Sequence, residues 1–86
     1  MYYLYILKSQ IKDWKYIGIT DNPALRLKQH NAGITKSTKG FRPFKLVYTE
    51  EYQTKIEARK REIHLKKTFK AREEVFAKIM ALSSNG

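Results

Sequence analysis

The sequence predicts an α+β fold with the element order β-β-α-β-α-α, and three observations predict it. Aromatic and β-branched residues crowd into three short stretches, at 2–8, 14–20 and 44–52, which is the composition of strands. Two helix-start signals, Asn22-Pro23 and Thr54-Lys55-Ile56-Glu57, stand where the strand patterning stops. An amphipathic run over 70–82 closes the chain, with Val75, Phe76, Ile79, Met80 and Leu82 as its packing face.

Eighty-six residues make one domain, expected over 1–82 with a frayed tail at 83–86. A chain of this length buries only roughly 60–65 % of its unfolded surface, so each large apolar side chain matters. There is no cysteine, which excludes a disulfide framework and a thiolate zinc site and is compatible with the reducing cytoplasm expected for this chain. No apolar run approaches the ~18 residues of a membrane span. Met1 to Leu7 follows no basic region and precedes no small-residue cleavage site, so it reads as a strand rather than a signal peptide. Eighteen Lys+Arg against eight Asp+Glu give a net charge of +10. A small body tolerates that repulsion most easily when its partner is a polyanion, and nucleic acid is the favoured one. A merely soluble basic protein, or one that meets an acidic membrane or an acidic protein, is the alternative.

In the first strand Tyr3, Tyr5 and Leu7 alternate with Tyr2, Leu4 and Ile6. Both sets are bulky, so cover on both faces is expected. Residues 9–13 are polar and of hairpin-loop length, and Trp14, Tyr16 and Gly18 then alternate against Lys15, Ile17 and Ile19. A hairpin sets Tyr5 and Tyr16 on adjacent strands, within cross-strand reach if the register permits. Gly18 is expected to permit close approach of a neighbouring chain or substrate.

Asn22 caps a helix that starts at Pro23, runs through His30 and meets a natural stop at Gly33. Arg26 and His30 are four apart and share a face; the plainer reading is a solvated basic face. Residues 31–43 form a loop broken by Gly33, Gly40 and Pro43 and studded with Lys36, Lys39 and Arg42. It is too long for a simple connector, and such loops often carry binding contacts. The third strand alternates Phe44, Leu46 and Tyr48 against Lys45, Val47 and Thr49. In the second helix Glu62 falls on the stripe of Ala58, Leu65 and Phe69, among apolar residues. A carboxylate there needs a partner, which is Lys66, Arg59, Arg26 or a metal ion, and Lys66 one turn on is the simplest. His64 reads as a surface histidine and Trp14 as a packing residue.

Leu4-Tyr5, the intact Tyr16-Ile17-Gly18, then Arg26, His30 and Glu62 within Glu57-Ala58…Glu62 resemble the GIY-YIG nuclease superfamily, in its small stand-alone bacterial branch. The resemblance runs from Tyr2 to about Phe69. The first motif keeps only its tyrosine, Lys36-Ser37-Thr38-Lys39 matches no assigned catalytic helper, and no asparagine follows Glu62 before Asn85. The resemblance implies a three-stranded antiparallel sheet flanked by helices. It also implies a metal-dependent endonuclease hydrolysing phosphodiester bonds in DNA, with Tyr5, Tyr16, Arg26, His30 and Glu62 as catalytic residues and Glu62 as metal ligand.

The chemistry asked of those residues is consistent. One carboxylate with waters and substrate oxygens suits Mg²⁺, with Mn²⁺ as a substitute. Arg26 offers a planar fork to phosphate oxygens. An ordinary tyrosine is only ~0.1 % ionised at neutral pH, so a phenolic base needs cations such as Arg26, Lys15 or the metal to lower its pKa. Tyr5 is assigned to base action or water positioning, and Tyr16 to phosphate positioning or proton relay, an assignment the sequence leaves open to exchange. His30 suits acid/base work or simply orients a tyrosine hydroxyl. Lys15, Lys36, Lys39, Arg42, Arg59 and Lys66 are the expected nucleic-acid contacts, which give affinity and salt dependence without reading sequence. Weak sequence preference follows, with selectivity for strand geometry of the kind met in repair or recombination, DNA favoured over RNA, and a protein partner as a possible source of specificity. Two readings compete: a catalytically idle nucleic-acid-binding module working with a partner, and a ribosome- or RNA-associated basic protein.

Overall fold

Leu4, Tyr5, Ile6 and Leu7 are each at most 1 % exposed, and four consecutive buried side chains require cover on both faces of their strand. In the computed structural model, which describes residues 1–83, that strand is β1 (Tyr2–Ser9) and it is the centre of a three-stranded antiparallel sheet. β2 (Lys15–Thr20) flanks it on one side and β3 (Phe44–Tyr52) on the other. The helices are α1 (Pro23–Asn31), α2 (Lys55–Lys67) and α3 (Phe69–Ser83). The α+β architecture and element order expected from the sequence are those observed.

Local chemistry explains the boundaries. Ser9 accepts hydrogen bonds from the backbone N–H groups of Ile11 and Lys12 and so closes the hairpin. The Asn22 side chain accepts from Leu25 N–H, with Pro23 in the first turn. Gly33, at φ +80°, takes the left-handed conformation just past α1. Thr54 accepts from Glu57 N–H and donates to its carboxylate, opening α2.

Each face of β1 supports its own cluster. Leu4 and Ile6 pack with Ile17, Leu65, Val75 and Ile79 beneath α2 and α3. Tyr5 and Leu7 pack with Phe44 and, at the margin, Trp14, Tyr16, Leu27, Phe41 and Leu46 beneath α1. A bulge in β3 falls between the partners of Ile6 and Leu7, where Tyr48 and Leu46 pair and Val47 is passed over. The strict alternation expected for Phe44, Leu46 and Tyr48 is therefore broken: Phe44 and Leu46 stay on the α1 face while Tyr48 turns to the other. Two helix expectations also change. Thr68 takes an extended conformation and ends α2, so Phe69 begins α3 and is exposed instead of continuing the stripe of Ala58 and Leu65. On α3 Val75 and Ile79 are buried, with Phe76 and Ala71 beside them; Met80 and Leu82 are exposed. Of the expected frayed tail, Ser83 ends α3 and 84–86 lie outside the described residues.

Candidate functional site

The site begins with register. Tyr5 stands opposite Gly18 and Leu7 opposite Tyr16, so the two tyrosines are diagonal neighbours on one face, with ring centroids 6.1 Å apart. A Cβ at Gly18 would lie 2.9 Å from both the Tyr5 hydroxyl oxygen and Cε2 of Tyr16. The neighbour whose close approach the glycine permits is the Tyr5 phenol on the adjacent strand, laid across it.

Helix α1 brings two residues to this face. His30 is fully buried; its Nε2 is 3.0 Å from the Tyr5 hydroxyl and its Nδ1 is 2.9 Å from Oγ1 of Thr38. Its ring centroid lies 4.9 Å from that of Tyr16. Arg26, one turn earlier, donates to the Gln29 side chain and acts on the Tyr5 phenol. Burial pushes the Tyr5 pKa up, the Arg26 guanidinium pulls it down, and the Tyr16 and Glu62 charges add to the rise. The net shift is upward. The lowered phenol expected from nearby cations is not what the folded chain holds, because desolvation outweighs Arg26. Burial, then the Arg26 charge, depresses the His30 pKa, so its imidazole is neutral at pH 7.

Glu62 is 5 % exposed, on the buried side of α2 as its position on the stripe suggested. Of the candidate partners, Arg59 and Lys66 take it, Arg59 at 2.6 Å on one oxygen and Lys66 at 3.0 Å on the other. The Lys66 ammonium also lies 5.9 Å from the Tyr16 ring centroid. Among the described residues there is no cluster of three or more His, Cys, Asp or Glu, so Glu62 is a single-carboxylate donor. That set fits a largely hydrated divalent ion, and the two cations that hold it have side chains 60 % and 49 % exposed.

The expected nucleic-acid contacts divide into groups. Lys36 and Lys39 are exposed and flank the buried Thr38. Arg42 is half-buried, its guanidinium against Gly33. Arg59 and Lys66 are engaged with Glu62. Lys15 belongs to the opposite sheet face, with its ammonium 4.7 Å from the Phe76 ring centroid, and is not brought to the tyrosines. His64 is exposed and Trp14 stacks on Phe41 at 4.0 Å, as expected.

Two features had no clear signal in the sequence. Thr38 is one, within a polar loop that reads like any solvated run. The other is Glu50, which accepts from Tyr48, Tyr52 and, through both oxygens, Arg61. Burial alone would raise the Glu50 carboxyl, but donation from Arg61, Tyr48 and Tyr52 outweighs it and holds the pKa low. Burial and the same hydrogen bonds push both phenols up to about 12. This network ties α2 to β3 one residue before Glu62.

Comparison with known proteins bears on the family and the fold. The model of the GIY-YIG catalytic domain family matches residues 1–74. The UPF0213 protein CPE1444 of Clostridium perfringens is 46% identical over 68 residues, which cover 78% of this chain and 72% of that one. The UPF0213 protein NP_0776A of Natronomonas pharaonis is 36% identical over 74 residues, 85% of this chain and 86% of that one, so relatives reach beyond bacteria to archaea. The solution NMR structure of the UPF0213 protein BH0048 from Bacillus halodurans superposes with a TM-score of 0.54 at 32% identity, covering 91% of this chain and 83% of that one.

Proposed function

The chain belongs to the GIY-YIG catalytic domain family, and from that premise we propose that it is a metal-dependent endonuclease hydrolysing phosphodiester bonds in DNA, weakly sequence-specific and selective for strand geometry. The observation that carries this is the buried Tyr5–His30 hydrogen bond, with Arg26 from the same helix acting on the same phenol. Packing alone has no use for a guanidinium, an imidazole and a phenol so arranged beneath a second, half-exposed phenol, Tyr16.

Each residue then has a task. Arg26 presents its fork to the phosphate and stabilises the charge that grows in the transition state. Tyr16, the outer phenol, orients the phosphate and the attacking water. Tyr5 and His30 behind it act as one proton-accepting unit: the Tyr5 oxygen takes a proton as its own passes to Nε2, so no free phenolate need form. That answers the raised Tyr5 pKa. Glu62 would hold the divalent ion, Mg²⁺ before Mn²⁺, which when bound supplies charge neutralisation at the phosphate and leaving oxygen. Lys36, Lys39 and Arg42 grip the backbone beside the site, and Arg59 and Lys66 join them once released from Glu62.

A second reading is a catalytically idle nucleic-acid-binding module that works with a partner. It is favoured by Glu62 having both oxygens already neutralised. One assay separates the two: labelled branched, nicked, single-stranded and duplex DNA with Mg²⁺ or Mn²⁺, for wild type, Glu62→Gln and Arg26→Ala. The nuclease reading expects wild type to cut at least one substrate and EDTA to stop it. Glu62→Gln should bind without cutting, and Arg26→Ala should slow cleavage by about 10²–10³-fold, as for loss of a transition-state charge donor. Equal trace nicking by wild type and Glu62→Gln would leave the binding module.

A further inference from the structure

Thr38 is fully buried, although it comes from the polar stretch between α1 and β3. A buried hydroxyl is costly unless its donor and acceptor are both used. Thr38 uses both: Oγ1 lies 3.3 Å from the Thr35 carbonyl and 2.9 Å from Nδ1 of His30. The loop is built to deliver it. The Asn31 side chain bonds both N–H and C=O of Phe44, Ser9 donates to the Phe41 carbonyl, and Gln10 N–H donates to the Pro43 carbonyl. Thr38 C=O itself accepts from Phe41 N–H at 3.0 Å.

The direction of the chain follows from which groups can only give or only accept. A carbonyl only accepts, so the Thr38 proton points to Thr35. Oγ1 then receives a proton from Nδ1, leaving Nε2 as the acceptor for the Tyr5 O–H. At the other end the Tyr5 hydroxyl has Nε2 of His30 as its partner at 3.0 Å, so with Nδ1 protonated the phenol proton is directed inward to Nε2. The reverse direction would leave that proton with no acceptor among the hydrogen bonds of the described residues.

We infer that Thr38 is a positioning residue of the proposed site: by accepting from Nδ1 it fixes His30 as the Nδ1–H tautomer, so that Nε2 faces Tyr5 as a base. The inference rests on the nuclease reading for its catalytic consequence, but not for the tautomer itself. A ring nitrogen's protonation is set by the bond its partner nitrogen makes. Without Thr38, Nε2–H can turn toward the Tyr5 oxygen and reverse the relay.

The test is ¹⁵N NMR of histidine-labelled wild type, Thr38→Val and Thr38→Ser, with cleavage kinetics beside it. Wild type and Thr38→Ser should show a protonated, pyrrole-like Nδ1 and a pyridine-like Nε2 on His30. Thr38→Val should shift weight to Nε2–H and lower kcat by about 10–100-fold with KM unchanged, the usual cost of losing an outer-shell partner. An Nε2–H tautomer in wild type overturns the inference, and so does full-rate cleavage by Thr38→Val. If Thr38→Val fails to fold, the wild-type and Thr38→Ser spectra decide. Absence of any cleavage by wild type ends the nuclease reading alone, since the spectra still report the tautomer.

Discussion

On one side of β1, Leu4 and Ile6 meet a fully aliphatic buried centre, Ile17, Leu65, Val75 and Ile79, with Tyr48, Tyr52 and Phe76 only at its margin. On the other, Tyr5 and Leu7 pack among aromatic rings, and Tyr5 bonds an imidazole that is itself held by a threonine hydroxyl. The first face stabilises by area removed from water and tolerates any filler of the right volume. The second is made of directional contacts, in which each atom has one acceptable role. A small domain divides its central strand this way because it has one well-covered element, and the site must share it. Damage to the two faces should therefore look different: lost stability with an intact site on one, an altered site on the other.

The largest effect is expected on the aliphatic face. Leu65 is fully buried, and Leu65→Ala should cost ~2–5 kcal/mol by urea denaturation, from lost transfer energy and the cavity left behind. The His30 ¹⁵N spectrum of the folded fraction should not change. A changed spectrum would mean that the two faces are mechanically coupled through β1.

Gly18→Ala probes the other face with one methyl group. Its Cβ would lie 2.9 Å from the Tyr5 hydroxyl oxygen, so the phenol must shift, at a cost of ~1–3 kcal/mol for overpacking. The sharper readout is the Tyr5–His30 bond: the Nε2 resonance should move away from its hydrogen-bonded position. An unmoved Nε2 would show that the phenol does not need the glycine beneath it.

This difference between faces also decides what the sequence could disclose. Strands, helix starts and the aliphatic core were legible because period and capping are local signals, and Arg26 with His30 was legible from spacing of four. Glu62 was legible as a misfit, a carboxylate on an apolar stripe. That His30 orients a tyrosine hydroxyl was among the readings, but which tyrosine was not legible, since Tyr5 lies opposite Gly18 and reaches His30 across 25 positions of chain. The bulge at Val47 left no mark in the alternation of β3, yet it swings Tyr48 to the other face. Thr38 was invisible for a related reason: a hydroxyl in a lysine-rich loop gains its role only when Asn31, Ser9 and Gln10 pin that loop to the sheet.

The smallest expected effect compares the faces by acid. His30 on the site face has a pKa below its ordinary value, from burial and then Arg26. Protonation there favours the unfolded chain, so the stability it contributes is complete above about pH 6.5 and is lost as pH falls through the depressed folded value. Glu50 on the other face also has a lowered pKa, because Arg61, Tyr48 and Tyr52 outweigh its burial. Its contribution is complete above about pH 4.3 and is lost as pH falls through its own lowered value. Acid should thus erode the site face first, with a slope no steeper than one proton, ~1.4 kcal/mol per pH unit. Urea midpoints across that range should show two steps in wild type. His30→Gln should flatten the upper step and keep the lower, and Arg61→Met should weaken the lower and keep the upper. A single step confined below about pH 4 would mean that His30 takes up its proton inside the folded chain without penalty, and the buried neutral imidazole on which the Tyr5 relay depends would be gone.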